Sequence, residues 1–543
     1  MKIALVCVED GLMSVGVRKM AGLISSVNPD TQVYYVPYQN YRALSVILMG
    51  RYGECADVST DCITEIAEGI CDADIVGFSS MTAYSALTAS IISEVRRLNP
   101  KSYIIWGGIH PIIVPEDAIQ HADAICTGEG EFAFLEFYEA FKAGEDFTTT
   151  KNFWFRQGDR IIKNGFRPLM SGEEMSCLPQ LHYGQDELVY SPGEGFVPMT
   201  RDHYLDFNGL SYNTVWSIGC PFKCTYCGNT KFIDNDKDYR KIRHPSVDYI
   251  MTELERALSV HPHISTVVFH DDSFLALPTK VLAEFAQQYR ERIGVPFAIQ
   301  GVIPNYVKEP KIQLLLSAGL NRVRMGIQNG SERILEFYDR PTPPEKIRSA
   351  AETLSKYSRY MIPPAYDIIL DNPIETREDI HKNLDLLYEL ARPYTLNIYS
   401  LRTIPNTHLE KQLEDLEISI DEISANYTHN APTLANCLVY LIAAGQIPKW
   451  LFSWLKSKAR PLVEPQRHYP RLTLLCRFVY LARRALDHLR FMDFSVLTGK
   501  VGYLVWKSGL LNFWHRRVLA RYELPDDFQA SAKTGRYKSL PVR

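Results

Sequence analysis

Three cysteines, Cys220, Cys224 and Cys227, stand in the spacing C-x3-C-x2-C within the stretch WSIGCPFKCTYCGN. Thiols this close together can share one metal centre. A structural zinc site closes with four ligands, and an ordinary iron–sulfur cluster also takes four. No second C-x2-C or H-x3-H lies nearby to complete such a set. His203 and His244 could be recruited to zinc, although nothing in their spacing marks them. Three thiolates around a cluster with its fourth iron left open fit better, because catalytic metals keep a vacant position for substrate.

Such a loop needs a scaffold. From Leu210 onward, strand candidates alternate with helical patterns: Thr214–Ile218, Thr266–His270, Phe297–Gln300, Arg322–Ile327, Ala365–Leu370 and Leu396–Ser400. Between them lie the helical stretches Val247–Val260, Thr279–Arg292, Glu309–Ala318, Glu345–Lys356 and Glu378–Leu390. Six strand–helix repeats predict a partial (β/α)6 TIM-like barrel over residues 210–408. The cysteine loop follows the first strand, on the face where barrels carry their chemistry.

The first 148 residues read as a doubly wound, Rossmann-like α/β sheet. Lys2–Val8, Gln32–Pro37, Asp74–Ser80, Ser102–Gly108 and Asp123–Gly128 are apolar, β-rich runs, with helical patterns at Tyr84–Leu98 and Glu131–Ala143. Ligands of such sheets lie beyond the carboxyl ends of the strands. Those ends carry Asp10, Ser79, Ser80, Gly107, Gly108, His110, Thr127, Gly128 and Glu129. Small and hydroxyl residues there let backbone approach a large ligand, although each loop alone is also ordinary turn chemistry. Residues 149–209 are polar and turn-rich and read as a connector, with a hairpin at Phe155–Gly165. Residues 409–543 lack β alternation and read as a helical, basic C-terminal domain.

The C-x3-C-x-aromatic-C loop, with Tyr226 in the aromatic place, resembles the radical S-adenosylmethionine (SAM) signature. The resemblance implies a 4Fe-4S cluster on Cys220, Cys224 and Cys227, whose open iron chelates SAM. Reductive cleavage then gives methionine and a 5′-deoxyadenosyl radical that takes hydrogen from unactivated carbon. VVFHDDSFL (267–275), with His270 and Asp271, resembles the family's second-strand motif, whose polar ends face SAM. VRMGIQNGSERIL (323–335) is similar to the fourth-strand motif and puts Gln328 near the SAM ribose. DIILDNPIETREDI (367–380) resembles the fifth-strand motif, with Asp371-Asn372 where Gly-Leu is usual. TIPNTHL (403–409) is similar to the sixth-strand turn, with Asn406 in place of glycine; asparagine tolerates left-handed backbone.

The first domain, with its Ser-Ser, GGIHP and DAICTGEGE ends, resembles the cobalamin-binding domain fused to one large radical SAM class. Together the resemblance covers about residues 1–406. Many such domains carry Asp-x-His-x-x-Gly after the first strand, where the histidine ligates cobalt from below. Here that stretch is CVEDGLMSVG (7–16), without histidine, so no lower histidine ligand comes from this loop. The resemblance implies a cobalamin-dependent radical SAM enzyme, reduced by a flavodoxin or ferredoxin; pairing an adenosyl radical with methylcobalamin favours methylation of an sp3 carbon of a small-molecule or lipid-like substrate, a step beyond the resemblance itself. Three alternatives stay open: a radical cyclase or rrearrangement enzyme, tRNA methylthiolation, and a non-enzymatic cobalamin sensor. Methylthiolation would want a second cysteine trio and a β-barrel RNA module, and neither is visible.

The bulk numbers bound these readings. The 543 residues are too many for one core, and 46% hydrophobic with 22% charged residues describes globular protein. Eleven cysteines without a disulfide pattern, and a core-like Met1–Val8 in place of a leader, predict a cytoplasmic protein. The net charge of −4 is too small to imply a polyanionic partner. It is unevenly spread: residues 441–543 carry 19 Lys/Arg against 6 Asp/Glu, leaving the first 440 residues acidic. Tail segments IPKWLFSWLKSKARP (447–461) and VGYLVWKSGLLNFWHRR (501–517) mix aromatics with basic residues. A solvated amphipathic cap on the barrel explains them, as does peripheral contact with an anionic membrane. Nucleic acid ranks third, because no recognition fold is evident.

Overall fold

The computed structural model describes residues 1–37, 58–183, 187–420, 430–491 and 499–510. Cys55 and the part of the second tail segment beyond residue 510 lie outside the described residues.

Strand β1 (Ile3–Glu9) is apolar from Ile3 to Val8 because both its faces are covered. Ala4, Val6 and Val8 point into one apolar cluster, and Ile3, Leu5 and Cys7 into another. Around β1 stand β2 (Thr31–Pro37), β3 (Ile75–Ser80), β4 (Tyr103–Gly107) and β5 (Ala124–Cys126), all parallel, in the order 5-4-3-1-2. The order reverses between β1 and β3, where a doubly wound sheet opens its ligand crevice.

The stretch expected as a connector is part of this sheet. The hairpin β6 (Phe153–Gln157) and β7 (Arg160–Lys163) pairs antiparallel on β5. A second hairpin, β8 (Leu188–Ser191) and β9 (Gly195–Pro198), extends the other edge beyond β2. Both hairpins cover edges that would otherwise expose unpaired backbone. Their pairing is with strands far away in sequence, so local polarity alone suggested a linker.

Six parallel strands follow in sequence order: β10 (Ser211–Thr214), β11 (Thr266–Phe269), β12 (Phe297–Val302), β13 (Leu320–Gln328), β14 (Ala365–Leu370) and β15 (Thr395–Ser400). They form an open barrel with helices outside. The first strand differs from expectation, ending at Thr214 instead of Ile218. The backbone N–H groups of Trp216 and Ser217 donate to the Asp271 carboxylate, not to a neighbouring strand. Residues facing the helices are fully buried, such as Val267, Phe269, Val323 and Met325. Those facing inward, Gln300, Arg324, Asp367, Asn397 and Tyr399, are half-buried, so the interior is a polar hollow, not a packed core. Helices Leu434–Ala444 and Pro470–Phe491 cover the open edge at β15; there the Tyr480 hydroxyl donates to the Leu396 carbonyl.

The two sheets are locked together through buried charge. Arg18, on helix Val15–Val27, is 2% exposed and pairs with Glu187. Tyr35 also donates to Glu187 at 2.8 Å, and the guanidinium lies 4.5 Å from the centre of the Tyr183 ring. Tyr183 donates to the Tyr212 hydroxyl of β10, and Tyr212 to Glu253 at 2.8 Å on helix Val247–Val260. Removing one member of a buried pair strands the other charge, which costs about 3–5 kcal/mol. Glu187→Ala is expected to lower stability by about that amount in thermal or urea unfolding, and a loss under about 1 kcal/mol would remove this pair from the junction's energetics.

Candidate active site at the facing strand ends

The cysteine loop is held from several sides. Asp271, 1% exposed, accepts from the Trp216 N–H at 3.0 Å, the Ser217 N–H at 2.7 Å and the Ser217 hydroxyl. Gly219 has φ +111°, and a Cβ there would come within 2.5 Å of the Lys241 carbonyl. Further along, the Thr225 N–H donates to the Tyr338 carbonyl, and the Leu409 N–H to the Thr225 carbonyl, both at 2.9 Å. The three thiols are free of disulfides and gather against Phe222, Ile303 and Tyr306. Burial pushes the Cys220 and Cys227 thiols up to about 12, so a positive metal centre is what would ionise them. Among the described residues, no three His, Cys, Asp or Glu side chains converge as a single ion requires. A cubane cluster is wider than one ion and spreads three thiolates around an open corner, which this donor set fits.

Arg340 is the residue the sequence did not reveal here. It is buried, with one Nη 3.5 Å from Cys224 Sγ and the other donating to the Gly326 carbonyl at 2.6 Å. Its Nε is buried without a partner. Burial opposes the charge, but Tyr226, Cys224 and Cys220 around it hold the guanidinium above its ordinary value. Nothing in the local sequence signals this, because Arg340 arrives from beyond β13, over a hundred residues after the cysteines.

Beside the loop, a cavity of about 230 Å³ opens at the carboxyl ends of β13, β14 and β15. Tyr226 and Gln328 line it together, with Asp367, Tyr399, Ser400 and Arg402. Gln328 has φ +66° and follows a register shift in β13, which re-aims its side chain into the mouth. Gly326 leaves room for that side chain, since a Cβ there would meet Gln328 Nε2 at 2.4 Å. Arg324 forms the floor, donating to Asp367 at 2.8 Å, Gln300 at 2.9 Å and the Tyr399 hydroxyl at 2.6 Å.

Two expected SAM contacts sit elsewhere. Asp271 has its carboxylate filled by the loop it holds. His270 lies deeper and bonds Asn213 at 2.9 Å; burial, then Arg324, lowers it to about 4. A ring whose folded pKa lies below the usual 6.5 adds stability that is fully present above 6.5 and lost as pH falls toward 4. Melting temperature is expected to fall across that interval on acidification, and His270→Gln to flatten the slope; an unchanged slope would show that the ring is not held neutral.

In the first domain, a cleft of about 220 Å³ runs between the sheet and the helices Val15–Val27 and Glu131–Ala143. Ser79, Gly107, Gly108 and Gly128 line it as expected, joined by Gly16 and Met20 from the helix side. A Cβ on Gly108 would press to 2.8 Å on Ser79 Oγ, and one on Gly130 to 3.0 Å on Met20 Cε. This cradle of absent side chains fits a broad, flat group. The other expected contacts are turned away. Ser80 accepts from the Trp106 indole at 3.0 Å. The His110 ring lies tilted against Trp106 and bonds Asp117 at 2.9 Å, on the far side of the sheet from the cleft. Thr127 donates to the Asn152 carbonyl. Glu129 pairs with Arg243 at 2.8 Å and accepts from the Met170 N–H at 2.7 Å, tying the first domain to the segment that bridges Ile218 just before the cysteines. Asp10 is exposed at the rim.

The two cavities belong to one junction. Helix Ile109–Ile113 of the first domain meets the end of the cysteine loop and the turn after β15: a Cβ on Gly228 would reach Ile113 at 3.1 Å, and the Asn406 side chain donates to the Ile113 carbonyl at 2.9 Å. Residues 214–387 match the model of the radical SAM superfamily, and residues 44–137 that of the B12 binding domain. The chain joins a B12-binding domain to a radical SAM domain. The doubly wound sheet, the partial barrel and the cofactor set of cobalamin, 4Fe-4S cluster and SAM are those expected from the sequence.

Among curated proteins, it is 25% identical to an uncharacterized methyltransferase from Pyrococcus horikoshii, over 60% of this chain and 68% of that one. It is 24% identical to the anaerobic magnesium-protoporphyrin IX monomethyl ester cyclase of Rubrivivax gelatinosus, over 59% of this chain. The match spans about half of the cyclase's length, 54%. Among solved structures, the cobalamin-dependent SAM radical enzyme OxsB, with aqua-cobalamin and SAM bound, superposes with a TM-score of 0.59 at 14% identity, covering 98% of this chain and 84% of that one. The radical SAM methyltransferase TsrM from Kitasatospora setae, with cobalamin and its cluster, gives 0.56 at 15% identity, covering 77% and 75%. At such identities the likeness is one of fold.

A buried positive charge beside a thiolate ligand favours the more negative, reduced state of a cluster. Arg340→Gln is expected to move the midpoint potential of the reconstituted cluster to a more negative value, read by an EPR-monitored redox titration. An unchanged midpoint would leave Arg340 a packing residue.

Proposed function

We propose that this chain is a cobalamin-dependent radical SAM enzyme that methylates an unactivated carbon of a small-molecule or lipid-like substrate. The observation that carries the reading is the junction at Ile113 and Gly228, which turns the strand ends of both domains toward one space. When bound, the cluster with SAM supplies hydrogen abstraction from carbon, and cobalamin supplies a methyl group to the same site. The chain's own residues hold and shield. Cys220, Cys224 and Cys227 bind the cluster, and Phe222, Ile303 and Tyr306 keep water from it. Tyr226 and Gln328 line the wall for the adenosyl portion of SAM. Asp367, Tyr399 and Arg402 face the remaining space and orient the substrate. The first-domain cleft takes the cobalamin without a histidine from the loop after β1, and His110 is turned away from it. Electrons come from a small reductant such as a flavodoxin or ferredoxin.

Ring formation with the same cofactors is the second reading, favoured by the cyclases among the relatives. Mass-labelled SAM separates the two, since a methyltransferase passes the label into its product. For the shared reading, a triple Cys220→Ala, Cys224→Ala, Cys227→Ala variant, reconstituted anaerobically, should lose the brown cluster absorbance and all 5′-deoxyadenosine formation while still binding cobalamin. Persisting SAM cleavage would overturn the assignment; loss of cobalamin binding as well would point to a folding defect, which circular dichroism checks.

A further inference from the structure

Helix Pro470–Phe491 is amphipathic in the reverse of the usual sense. Its barrel-facing side carries Cys476, Tyr480 and Asp487, all buried. Its outward side carries Leu475, Phe478, Val479, Leu486 and Leu489, which are 58%, 56%, 42%, 61% and 57% exposed. These positions recur at helical spacing, so they form one stripe along a 22-residue helix, roughly 33 Å long at 1.5 Å per residue. A solvated cap would place polar residues there. Contiguous exposed apolar surface on this scale marks an interaction site.

Charge decides the partner. Arg471, Arg483 and Arg490 are exposed around the stripe, and the helix's one acid, Asp487, is buried and bonded to Arg483 at 3.1 Å. Helix Lys449–Lys456, which also packs on helix Leu434–Ala444, exposes Trp450 and Trp454, 72% and 58%. A second copy of this chain on the same face would set arginine against arginine, because a two-fold contact meets its own surface. Among the described residues, no helix is long and apolar enough to cross a membrane. We infer that this face docks on an anionic phospholipid bilayer, the apolar stripe entering the headgroup boundary and the arginines meeting lipid phosphates.

The test is co-sedimentation of the full-length protein with phosphatidylcholine vesicles, with and without phosphatidylserine. The protein should pellet with the anionic vesicles at low salt and be released as salt rises. A Leu475→Glu, Phe478→Glu, Leu486→Glu variant should stay in the supernatant with its circular dichroism unchanged, since all three residues are exposed. Arg471→Gln with Arg490→Gln should weaken binding about 30-fold, at about 1 kcal/mol per arginine near the surface. The inference fails if the wild-type protein stays in the supernatant with anionic vesicles, or if the glutamate variant pellets equally well. It also fails if light scattering shows a wild-type dimer that this variant dissolves without any vesicle binding.

Discussion

The buried pairing of Arg18 with Glu187 is the interaction on which the arrangement of the two domains turns. A guanidinium at 2% exposure is tolerable only where every neighbour answers it. Here a carboxylate, two tyrosine rings and the His182 carbonyl do so. The partners come from β2, from the segments flanking residues 184–186, and through Tyr183 from the first barrel strand. Sliding one domain over the other would break the Tyr183–Tyr212 bond and draw the Tyr183 ring off the guanidinium. The orientation that lets both sets of strand ends meet is thus supported by a buried polar cluster on the same helix, Val15–Val27, whose Gly16, Val17 and Met20 line the first-domain cleft.

The front is fixed by a second set of ties, and each works through the cysteine loop. Glu129 reaches from β5 to Arg243, whose backbone bridges Ile218 just before the cysteines. Asp271 gathers the loop's first turn, and Tyr338 and Leu409 close its far side. The loop is therefore shaped by four distant segments before any metal arrives. The same logic explains why the barrel can be hollow. Its inward residues are polar and satisfy one another, as Arg324, Asp367, Gln300 and Tyr399 do, so the interior stays open without an apolar filling.

Much of this was legible beforehand, and the failures share one cause. The strand–helix alternation identified both sheets because burial on two faces writes an apolar run into the sequence. The cysteine spacing was readable because its chemistry is local. Gln328 and Tyr226 line one cavity and the expected glycines line the other, because a strand end and the loop it leads into have a fixed direction. His110, Thr127, Ser80, Glu129 and Asp271 were assigned to ligands because they are polar and stand at strand ends. Each proves to be answered by a residue from another element: Trp106 and Asp117, Asn152, Arg243, or the Trp216 backbone. Arg340 was missed for the converse reason, arriving from a loop with no motif of its own. The hairpins at residues 153–163 and 188–198 pair with distant edges, which local polarity does not reveal.

The two departures from the resembled motifs show how the helical domain entered this design. Asp371 stands where glycine is usual and adopts φ +61°, a conformation costly for most residues and eased for aspartate by local bonding. Its carboxylate accepts from Ser400 of β15 at 2.6 Å, from the Ala431 N–H at 3.0 Å and from Asn436 at 2.8 Å. Two of these donors belong to the start of helix Leu434–Ala444. A glycine would relieve the backbone but forfeit all three bonds. Asn406, at φ +60°, likewise turns its side chain to Ile113 of the first domain. In both places a side chain has replaced conformational ease with a contact between domains. The motif's variation is therefore informative: where the backbone alone would prefer glycine, this chain has used the position to fasten its first and last domains to the barrel mouth.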